Sequence, residues 1–178
     1  IVLMGGCYGD GPCLNDTWRS TNYGATWILM NASSGWSQRA VHSSVVMSDG
    51  SIVLMGGFDD NPYVKNDVWR STDTGATWTR VNASPGWSER RGHSSVAMPD
   101  GSIVLMGGDG GGTLMNDTWR STDNGVTWTL VNANSGWTGR EYHSSVTMPD
   151  GCIVLMGGWS GQDVVYKAMN DTWRSTDK

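Results

Sequence analysis

Short apolar runs separated by glycine and small polar residues recur along the whole chain. A continuous run, IVLM followed by two glycines, ends at Gly6, Gly57, Gly108 and Gly158. Such a run is typical of a strand that is buried on both faces. The segment HSSVxM precedes three of these runs across an Asp-Gly pair, which is a strong hairpin signal. The pattern therefore predicts two antiparallel strands joined by a tight turn.

Two further segments extend the pattern into a repeat. NDxWRST, with tryptophans at positions 18, 69, 119 and 173, predicts a third strand, and ATWTRV with its relatives predicts a fourth. The double glycines are 51, 51 and 50 residues apart. A fixed period near 50 residues indicates a repeat protein. Four-stranded sheets with two apolar faces are buried by radial stacking, so the sequence predicts an all-β propeller.

The repeats give fourteen predicted strands, as three, four, four and three, with blades near residues 1–31, 42–81, 93–131 and 143–178. The first blade lacks its first strand and the last blade lacks its fourth. Open strand edges invite association. We therefore expect about 3.5 repeats of a propeller that is completed by a longer chain or by a homo-oligomer joined through these edges.

The amino-acid composition excludes several classes of protein and of partner. The 178 residues include 25 Gly, 11 Trp and 10 Met but only two Glu, Glu89 and Glu141, which argues against a helical bundle. The net charge of −5 argues against nucleic acid and anionic membranes as partners. No apolar run approaches 18 residues, so we expect no membrane insertion.

The combined pattern RxxHSxVxxxDGxIxxxGG…NDxW…TW closely resembles the Kelch repeat, and the resemblance covers essentially the whole chain. In one copy it consists of Arg90, His93, Asp100, Gly101, Gly107, Gly108, Asn116, Asp117, Trp119 and Trp128. Proteins of this family are propellers, commonly of six or seven blades, and the resemblance implies the same fold here.

The turn before the fourth strand resembles the Asp-box of bacterial neuraminidase repeats, SxDxGxTW. Residues 71–78 and 121–128 match it, whereas residues 20–27 carry Asn22 where Asp is expected. In families that share this motif it is a folding element. An Asp carboxylate can accept hydrogen bonds from its own turn, so we interpret Asp73 and Asp123 as structural.

Three cysteines bear on the cellular compartment. Cys7 and Cys13 lie six residues apart in one loop, and the sequence leaves a local disulfide and two free thiols equally open. Cys152 replaces a serine of the other repeats and is interpreted as a small buried residue. Acidic balance, few lysines and a candidate loop disulfide favour a secreted or cell-surface protein.

Residues that recur in every repeat are explained most simply by the blade. His42, His93 and His143 recur three residues after Arg39, Arg90 and Arg140, so we interpret both sets as structural rather than as a ring of metal ligands. The arginines do not match the non-equivalent cluster of sialidases, and no residue set matches the copper site of galactose oxidases. We therefore expect no enzyme activity and no catalytic residues.

The loop between the second and third strands differs in every repeat. Variable loops that leave one face of a rigid scaffold are where binding sites usually lie. The aromatic and acidic residues of these loops are the candidate ligand-binding residues: Tyr8, Asp10, Phe58, Asp59, Asp60, Tyr63, Asp109, Trp159, Asp163 and Tyr166. Trp159 is the first choice, because it is the only tryptophan outside the repeat pattern.

Exposed aromatic rings among carboxylates suit sugar recognition, because a ring stacks on the C–H face of a sugar and carboxylates accept hydroxyl hydrogens. The sequence thus predicts a non-enzymatic binding module for a glycan or a protein. A self-assembling structural segment and a polysaccharide-active enzyme are the alternatives. No cofactor is expected, apart from calcium as a candidate at Asp59, Asp60 and Asn61.

Overall fold

The protein is an array of antiparallel β-sheets in a computed structural model that describes residues 1–9, 11–59, 63–161 and 167–176. These residues contain sixteen strands and no helix, and hence no helix able to cross a membrane. The first sheet consists of β1 (Val2–Cys7), β2 (Cys13–Arg19) and β3 (Ile28–Asn31). The second consists of β4 (Ser43–Val46), β5 (Ile52–Phe58), β6 (Val64–Ser71) and β7 (Thr79–Asn82).

The third and fourth sheets repeat this order. The third consists of β8 (Ser94–Ala97), β9 (Ile103–Asp109), β10 (Leu114–Ser121) and β11 (Thr129–Asn132). The fourth consists of β12 (Ser144–Thr147), β13 (Ile153–Met156) and β16 (Thr172–Arg174), and β14 (Trp159–Ser160) pairs with β15 (Lys167–Ala168) in a separate ribbon. The predicted all-β fold with four-stranded antiparallel blades is confirmed, and the ribbon accounts for the two strands beyond the fourteen predicted.

The HSSVxM strands lie at the centre of the arrangement. In the second, third and fourth sheets these first strands pack against one another, β4 against β8 and β8 against β12. Thr147 in β12 donates a side-chain hydrogen bond of 3.1 Å to the carbonyl of Ala97 in β8. The loops between second and third strands therefore leave the array at one common end.

The second strand of each central sheet is buried on both faces, as its continuous apolar run predicts. Val53, Leu54 and Met55 of β5 have no exposed surface, and Ile103 and Leu105 of β9 have none either. Most of these side chains join one cluster that spans the second and third sheets. Burial of this apolar area, worth roughly 25 cal/mol per Å² removed from water, holds the blades together.

The double glycine lets a connecting segment cross the end of each second strand. Gly57 adopts a φ of 98°, and a Cβ atom there would lie 2.7 Å from the carbonyl oxygen of Ala40. Gly108 has the same relation to Arg91. Glycine is required at such close approaches. The crossing places the residue that follows each repeated arginine beside the start of a variable loop.

Candidate ligand-binding face

The repeated arginines are buried structural residues. Arg39, Arg90 and Arg140 have completely buried side chains, and each forms an ion pair with the Asp of an NDxW strand. Arg90 also donates a 2.9 Å hydrogen bond to the carbonyl of Gly107. Burial raises the pKa of the Asp117 carboxyl, but the hydrogen bonds and the charge of Arg90 outweigh it and lower that pKa overall. These pairs fasten the connecting segments to the blades.

The repeated histidines are neutral packing residues. Burial, with the neighbouring Arg39 or Arg140, lowers the pKa of His42 and of His143 to about 4. The Nε2 atom of His143 lies 2.8 Å from Oγ of Ser94 in the adjacent blade. Among the residues that the structure describes, no three His, Cys, Asp or Glu side chains form a group able to hold a metal ion.

Among the described residues, three backbone bridges pair the starts of variable loops with the segments that follow the buried arginines. They pair Ala40 with Phe58, Arg91 with Asp109, and Glu141 with Trp159. In the last of these, the Glu141 and Trp159 amides each donate to the other residue's carbonyl, at 3.0 and 2.8 Å. Residues directly opposite in an antiparallel pair project their side chains to the same side. Each loop therefore begins beside the non-repeated residue that follows a buried arginine.

Arg91 contacts two of these loops and Glu141, the residue whose backbone pairs with the start of a third loop. Its Nε and Nη2 atoms donate to Oδ2 of Asp109, at 3.2 and 3.0 Å. Its guanidinium carbon lies 5.3 Å from the centre of the Phe58 ring in the preceding blade. Its Nε atom lies 3.9 Å from Oε2 of Glu141 in the following blade. We refer to Phe58, Arg91, Asp109, Glu141 and Trp159 as the Arg91 cluster.

One oxygen of the Glu141 carboxylate is buried without a hydrogen bond from the residues that the structure describes. The residue is only 5% exposed, and among the described residues its Oε2 atom has an ion-pair neighbour, Arg91, but no hydrogen-bond partner. Burial raises the pKa of the Glu141 carboxyl, and the nearby negative charge of Asp109 raises it further, against the opposing effect of Arg91. A buried polar atom without a partner costs stability, so this one requires an explanation.

A cleft of about 300 Å³ opens beside the cluster. Phe58, Asp59, Val64, Arg91 and Gly111 line it. The Asp59 carboxylate forms a 2.7 Å ion pair with the Lys65 amine. A larger and more open groove of about 670 Å³ shares Lys65 but is otherwise lined largely by side chains of the repeat, such as Trp69 and Asp67. The smaller cleft is therefore lined by residues that differ from one repeat to the next.

The structure locates six of the ten predicted ligand-binding residues. Tyr8, Tyr63 and Trp159 are exposed by 67%, 61% and 46%. Phe58 and Asp59 are half-buried, and Asp109 is buried in its bond with Arg91. Phe58, Asp109 and Trp159 belong to the Arg91 cluster, and Asp59 borders it. Asp10, Asp60, Asp163 and Tyr166 lie outside the described residues.

Two further predictions concern the variable loops, namely a disulfide in the first loop and calcium at the second. A disulfide joins Cys7 to Cys13 and closes the loop that carries Tyr8, and Cys152 is a buried free thiol. Of the proposed calcium ligands, Asp60 and Asn61 fall outside the described residues, and Asp59 is paired with Lys65. Calcium at this loop stays a prediction.

Sequence reasoning missed Arg91, Glu141 and Tyr142 as members of this face. The signal was present, because the two residues between each repeated Arg and His differ in every copy: Ala-Val, Arg-Gly and Glu-Tyr. Their backbones join neighbouring blades, since the Gly92 amide donates to the Val41 carbonyl at 3.0 Å and the Tyr142 amide to the Gly92 carbonyl at 2.8 Å. These positions vary in the same way as the loops that they contact.

Comparisons with known proteins agree with this architecture. The sequence model of the family described as the KLHDC2/KLHL20/DRC7 Kelch-repeats domain matches residues 1–176. An F-box/kelch-repeat protein of Arabidopsis thaliana is 30% identical over 119 residues, which cover 61% of this chain. The aligned part spans 25% of that plant protein.

Proposed function

Because the chain belongs to the Kelch-repeat family, we propose that it is a non-enzymatic binding module that holds a protein ligand on the face formed by its variable loops. The observation that carries the proposal is the Arg91 cluster. There, one guanidinium contacts residues from three successive blades, at Phe58, Asp109 and Glu141. The residues that differ between otherwise similar repeats thus meet at one place.

The scaffold beneath this face supports a binding role. The buried Arg–Asp pairs and the apolar strands beneath the loops are the same in successive blades, so the variation is confined to the surface that they carry. Exposed aromatic side chains at Tyr63 and Trp159 resemble the anchors of protein interfaces. A preformed surface loses little entropy on binding.

A glycan is the second candidate ligand, and exposed Trp159, whose backbone pairs with that of Glu141, favours it. An indole ring packs against the C–H face of a sugar, while carboxylates accept hydroxyl hydrogens. Self-association through open blade edges is a further hypothesis, which concentration-dependent mass would test. We also propose a secreted or cell-surface location, which the Cys7–Cys13 disulfide supports.

A random peptide library displayed on phage tests the proposal. We expect selected peptides to bind the wild-type protein and to lose at least tenfold in affinity with Tyr63→Ala or Trp159→Ala. Tyr23→Ala is the matched control, because Tyr23 is fully exposed in the turn between β2 and β3, at the opposite end of the blade. Peptides that depend on Tyr23 alone, or on none of the three residues, would contradict the proposal.

A glycan array run with the same variants separates the two ligand classes. Binding of a glycan that is lost with Trp159→Ala, together with no peptide selected on the loop face, would establish the glycan in place of the protein ligand.

A further inference from the structure

Among the described residues, three equivalent residue pairs lie on the loop face, and they differ in chemistry. Ala40 with Phe58 is apolar, and Arg91 with Asp109 is an ion pair at 3.0 Å. Glu141 with Trp159 combines a buried carboxylate and an exposed indole. The side chains of the first two pairs need no partner outside the chain. The third pair is therefore the one with capacity to bind a ligand.

The charged side chains around Arg91 include one more carboxylate than cationic groups. Lys65 pairs with Asp59, and the Nε and Nη2 atoms of Arg91 donate to Asp109. The 3.9 Å approach of Arg91 to Glu141 is beyond hydrogen-bonding distance. The cluster therefore favours a cationic group in a ligand and disfavours an anionic one.

Two exposed aromatic residues are neighbours of Glu141, Trp159 across the backbone bridge and Tyr142 in sequence. Trp159 is 46% exposed, and Tyr142, adjacent to Glu141 in sequence, is 52% exposed. Lys167 is paired with Ser160, so its side chain projects from the opposite side of the ribbon from Trp159. An indole face attracts a cation that lies within about 6 Å of its centre.

We propose that Glu141 and Trp159 together bind a basic side chain, arginine or lysine, of the protein partner. The inference rests on the proposed function, in which the loop face binds a protein. The Glu141 side chain is only 7% exposed, so a long, flexible side chain suits the depth of the carboxylate. The cationic head would supply the donor that Oε2 lacks, and the ring of Trp159 would cover the stem.

A titration followed by nuclear magnetic resonance tests this site with defined probes. The probe is the tripeptide acetyl-Gly-Arg-Gly-amide, and its control is the same tripeptide with citrulline, which replaces the guanidinium by a neutral urea of similar shape. We expect the arginine probe to shift the indole N–H signal of Trp159 saturably, with a dissociation constant on the order of millimolar. The citrulline probe should bind at least tenfold more weakly.

Two isosteric variants localise the effect. Glu141→Gln removes the charge and should weaken the arginine probe at least tenfold, whereas Glu89→Gln alters the chain's other, exposed Glu and should leave affinity unchanged. The amide spectrum of each variant verifies that it is folded. Equal affinity for arginine and citrulline, or normal affinity in Glu141→Gln, would overturn the inference.

The outcomes separate this inference from the proposed function. Library peptides that bind the loop face but are indifferent to Glu141→Gln would leave the proposed function standing and refute the basic-side-chain site. An arginine probe that binds at Trp159, while no library peptide binds the loop face, would support the site and refute the protein-binding function.

Discussion

Arg90 donates two hydrogen bonds to the Asp117 carboxylate, from Nη1 at 2.7 Å and from Nη2 at 2.8 Å, although its own side chain is completely buried. The guanidinium carbon also lies 5.7 Å from the centre of the Trp87 ring. The two neighbouring repeats contain the same arrangement. A charge buried in this way depends on its single counter-ion, because removal of either partner leaves the other uncompensated.

Loss of the Asp117 charge is therefore expected to be costly. Asp117→Asn should lower the free energy of unfolding by about 3 kcal/mol, measured by urea denaturation at neutral pH. Asp100→Asn is the matched control, since Asp100 pairs with Arg120 while both side chains are about half exposed. An exposed pair contributes about 1 kcal/mol or less. Equal losses in the two variants would contradict the structural role of the buried pair.

Acidification should destabilise the fold through its buried histidines. His42 and His143 have pKa values of about 4 in the folded protein, against 6.5 in the unfolded chain. Below pH 6.5 the unfolded chain takes up protons that the folded protein excludes until about pH 4, so stability falls across this interval. Each imidazole should account for about 3 kcal/mol.

Urea denaturation at intervals from about pH 7 to about pH 4 measures this loss. A His42→Asn variant has one titrating group fewer, so its stability should fall less steeply with decreasing pH. An unchanged slope would show that His42 is not the group responsible.

The repeat pattern predicted the sheets because each strand depends on local residues. Apolar runs such as IVLM, the Asp-Gly turns and the double glycines each indicate a strand or its end within a few positions. The added ribbon of Trp159–Ser160 with Lys167–Ala168 had no such signal, since its strands have only two residues each. The contacts within the candidate site likewise have no local signal in the sequence.

The contacts of Arg91 could not be predicted from the sequence. Asp109 is 18 residues from Arg91 in sequence and Glu141 is 50, and they meet only because a connecting segment crosses the double glycine of one blade. Trp159, by contrast, could be singled out, because it is the one tryptophan that breaks the period. Deviation from a repeat identifies candidate residues, but the register between blades decides which of them touch.

The turn at Asp73 should tolerate asparagine but not alanine. Oδ1 of Asp73 accepts hydrogen bonds from Ser71 and from the Thr77 amide, at 2.8 and 2.9 Å. Asn22 in the equivalent turn of the first sheet accepts the same pair of bonds, both at 3.0 Å. Asp73→Asn should therefore change stability by less than about 0.5 kcal/mol, and Asp73→Ala should cost about 1–2 kcal/mol.

Thermal and urea denaturation of the two Asp73 variants measure the difference. The expected order is wild type and Asp73→Asn together, with Asp73→Ala below them. A loss in Asp73→Asn as large as that in Asp73→Ala would show that the negative charge, rather than the accepted hydrogen bonds, holds the turn.

Removing the Glu141 charge should stabilise the protein in the absence of a ligand. The carboxylate is buried, and its Oε2 atom accepts no hydrogen bond from the part of the chain that the structure describes, so the ionised form is disfavoured in the fold. Glu141→Gln should raise the free energy of unfolding at neutral pH by on the order of 1 kcal/mol. Glu89→Gln, at an exposed position, should leave it within about 0.5 kcal/mol of wild type.

The pH dependence of this gain identifies its cause. Burial and Asp109 raise the pKa of the Glu141 carboxyl above its ordinary 4.5, against the opposing charge of Arg91. The cost of ionisation is then complete above the folded-state pKa, shrinks as the pH falls through it, and vanishes below 4.5. The stability difference between Glu141→Gln and wild type should decrease in the same way. A Glu141→Gln protein less stable than wild type at neutral pH would show that the carboxylate already has a stabilising partner, and would remove the reason for a basic ligand there.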